Sequence, residues 1–141
     1  MDEAEVLSRV SLFSLMKDRD IKRIAKQAKH HSFKKGDIVI REGERDGRLF
    51  VIISGEVEVI KGLGSQDERR LGTFRSSNYF GEMAIFDDYT RTASVRAMQD
   101  TEVLCLDQWN IREEIKKYPS IAIELLQILA RRLRVAEEKK G

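Results

Sequence analysis

Between Phe33 and Leu106 the chain falls into short segments rich in β-branched and aromatic residues, each closed by a turn former. They are Asp37-Ile38-Val39-Ile40, Leu49-Phe50-Val51-Ile52-Ile53, Glu56-Val57-Glu58-Val59-Ile60, Arg70-Leu71-Gly72-Thr73-Phe74, Ala93-Ser94-Val95-Arg96-Ala97 and Glu102-Val103-Leu104-Cys105-Leu106. Segments of this length and composition read as strands. Gly36, Gly43, Asp46-Gly47, Ser54-Gly55 and Gly62-Leu63-Gly64-Ser65 punctuate them as turns. Strands so short and regularly spaced point to a jelly-roll or β-roll sandwich rather than a parallel sheet.

Helical periodicity brackets this β region. Before it, Asp18 is placed to cap a helix in which Ile21, Ile24, Ala25 and Ala28 share a face while Lys22, Arg23, Lys26 and Lys29 point outward. After it, Asp107 is placed to cap a short helix through Trp109, Ile111 and Ile115, and Pro119 suits the first turn of another. That last helix carries Ile121, Ala122, Leu125, Ile128, Leu129, Ala130 and Leu133, more apolar surface than one buried face requires. Its surplus is expected to cover a pocket or meet a second subunit. The expected plan is a mainly β domain of about eight strands with flanking helices. Helices occupy about residues 1–32, the β-roll 33–106 and helices again 107–141.

A chain of 141 residues suits one such domain. Lys and Arg number 26 against 24 Asp and Glu, so net charge gives no ground to expect nucleic-acid binding. The single cysteine, Cys105, excludes an internal disulfide, and no His/Cys cluster supplies the ligands of a structural zinc site. With an acidic start, Asp2-Glu3-Ala4-Glu5, and no apolar run near the roughly 20 residues that span a bilayer, the expected location is cytoplasmic and away from the membrane.

One segment, Asn78 to Val95, breaks the strand rhythm. Gly81 followed by Glu82-Met83-Ala84-Ile85-Phe86 can form one or two helical turns whose leading amides lack partners within the turn, a ready anion site. Arg91 follows nine residues after Glu82, where a folded-back loop would aim its guanidinium at the same point. The planar fork of arginine suits phosphate because it donates two parallel charge-assisted bonds.

Phe80-Gly81-Glu82-Met83-Ala84 with Arg91-Thr92-Ala93-Ser94-Val95 resembles the phosphate-binding cassette of the cyclic nucleotide-binding domain family. This family includes catabolite activators, kinase regulators and cyclic-nucleotide-gated channels. The resemblance extends to Lys35-Gly36-Asp37-Ile38-Val39-Ile40-Arg41-Glu42-Gly43-Glu44 and to Phe50-Val51-Ile52-Ile53-Ser54-Gly55-Glu56-Val57-Glu58-Val59. It implies a double-stranded β-helix (jelly-roll or β-roll), with N-terminal helices, C-terminal B and C helices and the cassette at residues 80–95. The implied ligand is cAMP or cGMP, with no other cofactor and no metal. By resemblance, Arg91 pairs with the phosphate, the Ala84 amide and Thr92 add donors, Glu82 accepts from the ribose 2'-hydroxyl and Gly81 lies against the sugar. Phe80, Met83 and Ala93 complete the lining, and Arg132, from the Arg131-Arg132-Leu133-Arg134 run, covers the purine. Thr90 stands where the family often has proline.

The resemblance further implies a sensor, not an enzyme. Ligand binding would move the last helix and be read by an effector protein or a further domain, with a homodimer through the C-terminal helix as a possible assembly. The alternative is a ligand-free interaction or dimerisation module of the same fold, in which Glu82 and Arg91 form only a structural salt bridge. A cupin-like metal enzyme would need more than His30 and His31, which read as loop residues, while Cys105 and Trp109 read as core or boundary side chains.

Overall fold

The computed structural model describes residues 2–88 and 90–140; Met1, Tyr89 and Gly141 lie outside them. Helix α1 (Glu3–Ser8), a 3-10 turn (Ser11–Phe13) and α2 (Asp18–Ala25) precede eight strands: β1 (Lys29–Phe33), β2 (Ile38–Ile40), β3 (Arg48–Ser54), β4 (Glu56–Lys61), β5 (Arg69–Arg75), β6 (Tyr79–Phe80), β7 (Ser94–Ala97) and β8 (Thr101–Asp107). A second 3-10 turn (Glu82–Ile85) lies between β6 and β7, and α3 (Gln108–Lys117) and α4 (Ser120–Lys140) follow β8. The strands form two antiparallel four-stranded sheets, ordered β1-β8-β3-β6 and β2-β7-β4-β5. This is the expected β-roll with flanking helices.

Side-chain alternation along the paired strands β3 and β8 separates two cores. Phe50 faces Cys105 and Ile52 faces Val103 across the pair, and all four point between the sheets with Val39, Val57, Phe80 and Val95. Leu49, Val51, Leu104 and Leu106 point the other way, into a larger core built with Leu7, Leu12, Phe13, Ile24, Ile111, Ile121 and Leu125 of the helices. Both strands are therefore buried on both faces, which is why their sequences run apolar instead of alternating.

Local differences from the expected plan have identifiable causes. The first strand starts at Lys29, inside the stretch assigned to helices, so His30 and His31 belong to β1 and not to a loop. Its residues are exposed apart from partly buried Phe33, and only pairing with β8 makes it a strand. Helix α2 is capped at Lys17 without a side-chain bond, so Asp18 opens its first turn and Ala28 lies beyond its end. Asp20 is buried instead of solvated, bonded to Arg23, which also reaches Glu114 of α3 at 3.0 Å. Asp107 does cap α3, accepting from the Trp109 amide at 2.9 Å. Trp109 itself is not core; it lies 62% exposed with the Arg112 guanidinium over its ring.

The β3–β4 hairpin turns at Gly55, whose φ of +99° is a left-handed value. A β-carbon there would lie 2.6 Å from the Asp100 carbonyl oxygen and 2.7 Å from Thr101 Cα, both backbone atoms that cannot swing aside. Gly55→Ala is expected to destabilise the fold by about 2 kcal/mol or more, from the left-handed backbone and the clash together. Urea unfolding checks this: the midpoint falls while the slope is unchanged.

Candidate functional site

Strand β6 ends at Gly81, and there the chain crosses from one core to the other. Phe80 stacks on Phe50 and Phe74 between the sheets, with ring centroids 5.1 Å and 5.7 Å apart, whereas Ile85, four residues after Gly81, is fully buried among the helices. The crossing is tight: Gly81 has φ +86°, and a β-carbon on it would sit 2.7 Å from the Arg48 carbonyl oxygen and 2.8 Å from Arg91 Nη1. Glycine is needed there for both conformation and space.

Arg91 reaches that point because its backbone is pinned to the β2–β3 loop. Its N–H donates to the Glu44 carbonyl and its own carbonyl accepts from Gly43, each at 2.8 Å. The side chain is 11% exposed; Nη2 donates to the Arg48 carbonyl at 2.6 Å and lies 3.7 Å from Asp46 Oδ1. Nε is buried and has no hydrogen-bond partner among the described residues. Burial draws the Arg91 guanidinium below its ordinary pKa, with Asp46 opposing that by favouring the charged form. Burial alone would raise the Asp46 carboxyl; the bonds and charge from Arg48, with the charge of Arg91, hold it below the usual carboxylate value. The result is a partly desolvated guanidinium, oriented by its neighbours, with one N–H donor left unpaired among the described residues.

The salt bridge between Glu82 and Arg91 weighed from the sequence is not formed. Glu82 Oε1 instead accepts from Arg132 Nη1 of α4 at 3.3 Å, while Arg132 Nη2 donates to Tyr79 at 3.1 Å and to Ser11 at 3.2 Å. These residues, with Phe74, Phe80 and Gly81, edge a cleft of about 550 Å³, the volume range of small-molecule sites.

The structure therefore brings Phe80, Gly81, Glu82, Ala84 and Arg91 together, with Arg132 reaching in from α4. Met83 is half exposed, Thr92 is exposed with its carbonyl accepting from Lys61 Nζ at 2.7 Å, and Ala93 is partly buried. The Ala84 amide, expected as a phosphate donor, is spent on the Gly81 carbonyl at 3.2 Å because the turn is 3-10 and closes after three residues. Its leading donors are the amides of Glu82 and Met83. Sequence reasoning missed Asp46 and the Arg48 carbonyl, which hold Arg91, and Ser11 and Tyr79, which hold Arg132. The Asp46-Gly47 pair was visible only as a turn signal. Among the described residues no group of three His, Cys, Asp or Glu side chains gathers to hold a metal. Nor, among the described residues, is any helix long and apolar enough to cross a membrane.

Residues 30–118 match the family model described as the cyclic nucleotide-binding domain. This chain belongs to the cyclic nucleotide-binding domain family. It is 35% identical over 130 residues, 92% of its length, to a CRP-like cAMP-activated global transcriptional regulator of Mycobacterium tuberculosis, and spans 58% of that protein. A cGMP-dependent protein kinase of Toxoplasma gondii is 32% identical over 83% of the chain, which spans 11% of the kinase. Among solved structures, the N-terminal domain of a transcriptional regulator from Streptomyces coelicolor superposes with a TM-score of 0.87 at 27% identity, covering 96% of this chain and 95% of that one. The two relatives are thus a cAMP-activated transcriptional regulator and a cGMP-dependent protein kinase.

Asp46 is the countercharge between two arginines. Asp46→Ala is expected to lower stability by about 1 to 3 kcal/mol, since it leaves Arg48 and Arg91 without it in a partly buried setting. The drop is read by chemical unfolding.

Proposed function

We propose that this domain is a sensor that binds a 3',5'-cyclic nucleotide, cAMP or cGMP, through Arg91 and Glu82. The observation that carries the reading is the buried Arg91 guanidinium, packed on the backbone of Gly81 with Nε unpaired. A cyclic phosphate brings one negative charge and acceptor oxygens to that donor, and the Glu82 and Met83 amides add to it, joined by Ala84 as the turn opens. Thr92 and Ala93 border the phosphate from the β7 side. Glu82 accepts from the ribose 2'-hydroxyl and disfavours the extra charge of a 5'-monophosphate. Phe80 and Met83 line the sugar and base, and Arg132 closes over the ligand from α4. The names of the two relatives, one cAMP-activated and one cGMP-dependent, support the ligand class.

The route outward starts in the turn itself. Arg112 of α3 donates from Nε to the Ile85 carbonyl at 3.0 Å, so a shift of the cassette is felt at the root of α3, and Arg132 gives α4 a second hold on it. Ligand binding shifts the population of α3 and α4 arrangements by its differential affinity for them. The domain senses and does not catalyse, and an effector protein or a further domain reads the shift. Helix α4 also offers a partner surface. It docks through Ile121, Leu125 and Ile128, while Ile123, Leu126, Ala130 and Leu133 form an exposed strip at alternating spacings of three and four, the pattern of a helix–helix seam. A second copy of the chain packs on that strip.

Calorimetric titration with cAMP and with cGMP tests the sensor reading. Binding of either is expected, with about 2.7 kcal/mol of added stability at a hundredfold excess over Kd. Arg91→Ala is expected to weaken binding at least about a hundredfold, the loss of charge-assisted bonds at about 1.5 to 3 kcal/mol each. Neither heat nor a melting shift with either nucleotide would leave the chain as an interaction module of the same fold. The seam has its own test: sedimentation is expected to show a dimer that Leu126→Glu with Leu133→Glu converts to a monomer.

A further inference from the structure

Resting on the reading of Glu82 as the ribose acceptor, we propose that the hydroxyls of Tyr79 and Ser11, acting through Arg132, set the selectivity of the site for a free 2'-hydroxyl. Neither hydroxyl belongs to the phosphate machinery. Both accept from the same nitrogen, Arg132 Nη2, at 3.1 Å and 3.2 Å, and they are hydrogen-bonded to each other. The other nitrogen, Nη1, holds Glu82 Oε1.

The physical problem these hydroxyls solve is one of orientation. Arg132 lies in the second half of α4, a third of its side chain is exposed, and Glu82 is a fifth exposed. An ion pair that open to water contributes little by itself, because two long side chains must give up rotamer freedom to hold one geometry. Two acceptors on Nη2 fix the plane of the guanidinium, one from β6 and one from the turn after α1, each a different part of the fold from α4. With the plane fixed, Nη1 occupies Oε1 and leaves Oε2 as the oxygen that takes a hydroxyl proton.

Tyr79 and Ser11 are therefore positioning residues. Without the phenol, the Arg132 guanidinium loses its fixed plane, Glu82 samples both of its oxygens, and the 2'-hydroxyl loses its oriented acceptor. The loss is confined to ligands that carry that hydroxyl.

The experiment compares cAMP with 2'-deoxy-cAMP, and cGMP with its 2'-deoxy form, by titration of the wild-type chain, Tyr79→Phe and Ser11→Ala. The wild type is expected to prefer the 2'-hydroxyl form. Tyr79→Phe, which keeps the ring, is expected to weaken the hydroxyl form by about three- to tenfold and to leave the deoxy form unchanged. Ser11→Ala is expected to shift the ratio the same way, with Ser11→Thr restoring it. A wild-type preference that survives both variants, or equal weakening of both ligand forms, overturns the inference and leaves the sensor reading standing. A wild type that binds none of the four ligands overturns both.

Discussion

A guanidinium that is nine-tenths buried has to be compensated within the protein, and the architecture around Arg91 follows from that requirement. Its charge is met by Asp46 and one of its donors by the Arg48 carbonyl, both from the β2–β3 loop and the strand it feeds. Its backbone is clamped to Glu44 and Gly43 in the same loop. Its flat face lies where any side chain at position 81 would be, so the crossing between β6 and the following turn has to be made by glycine. Burying a charge is costly unless it is paired and hydrogen-bonded. Here Nη2 is paired, Nε has no hydrogen-bond partner among the described residues, and that deficit is local, directional and of the sign that attracts an anion.

That deficit matters because of what the neighbouring turn is attached to. Phe80 belongs to the core between the sheets and Ile85 to the core shared with the helices, so the few residues between them span the two packing units of the fold. Well-packed cores do not deform continuously. On the proposed reading, a displacement of the turn would repack Ile85 in the core it shares with Ile111, Ile121 and Leu125 of α3 and α4. The bond from the Arg112 side chain to the Ile85 carbonyl would make α3 the first helix to respond. The proposed coupling of pocket to helices thus needs no long wire, because the turn is rooted in both cores.

The β-roll was legible in the sequence wherever local pattern and tertiary environment agree. β3 and β8 announce themselves by unbroken apolar runs because both of their faces are buried, and β4 by alternation because only one face is. β1 was not legible: Lys29-His30-His31-Ser32-Phe33 carries no apolar alternation, and its strand state is conferred by β8. The Gly81-to-Ala84 and Arg91 segments stood out because turn chemistry and a suitably spaced cation are local signals. Asp46, Tyr79 and Ser11 were silent, since each acts on a partner between 45 and 121 residues away and none has a spacing that marks it. Asp18 and Trp109 went wrong for a related reason. Both residue types suit the places first given to them, and the fold used Lys17 and solvent instead.

Glu82 and Arg91 lie close in the fold yet each is paired elsewhere, and this separation bears on why the site is usable. Had the two bonded to each other, a ligand would have to break a partly buried ion pair before making its own contacts, and the attraction lost would cancel much of the attraction gained. By giving Arg91 to Asp46 and Arg48, and Glu82 to Arg132, the fold keeps a cation and a carboxylate side by side without letting them neutralise one another. Glu82 edges the cleft and Arg91 lies behind Gly81 at its border, and on the proposed reading the one is an acceptor for a hydroxyl and the other a donor for an anion. The arrangement draws on both ends of the chain: Ser11 stands near the start, Arg132 near the finish, and they meet over a carboxylate from the middle. On the proposed reading, a group that displaced that meeting would move α4 against the N-terminal turn, because one hydrogen-bonded cluster joins the cleft to the last helix.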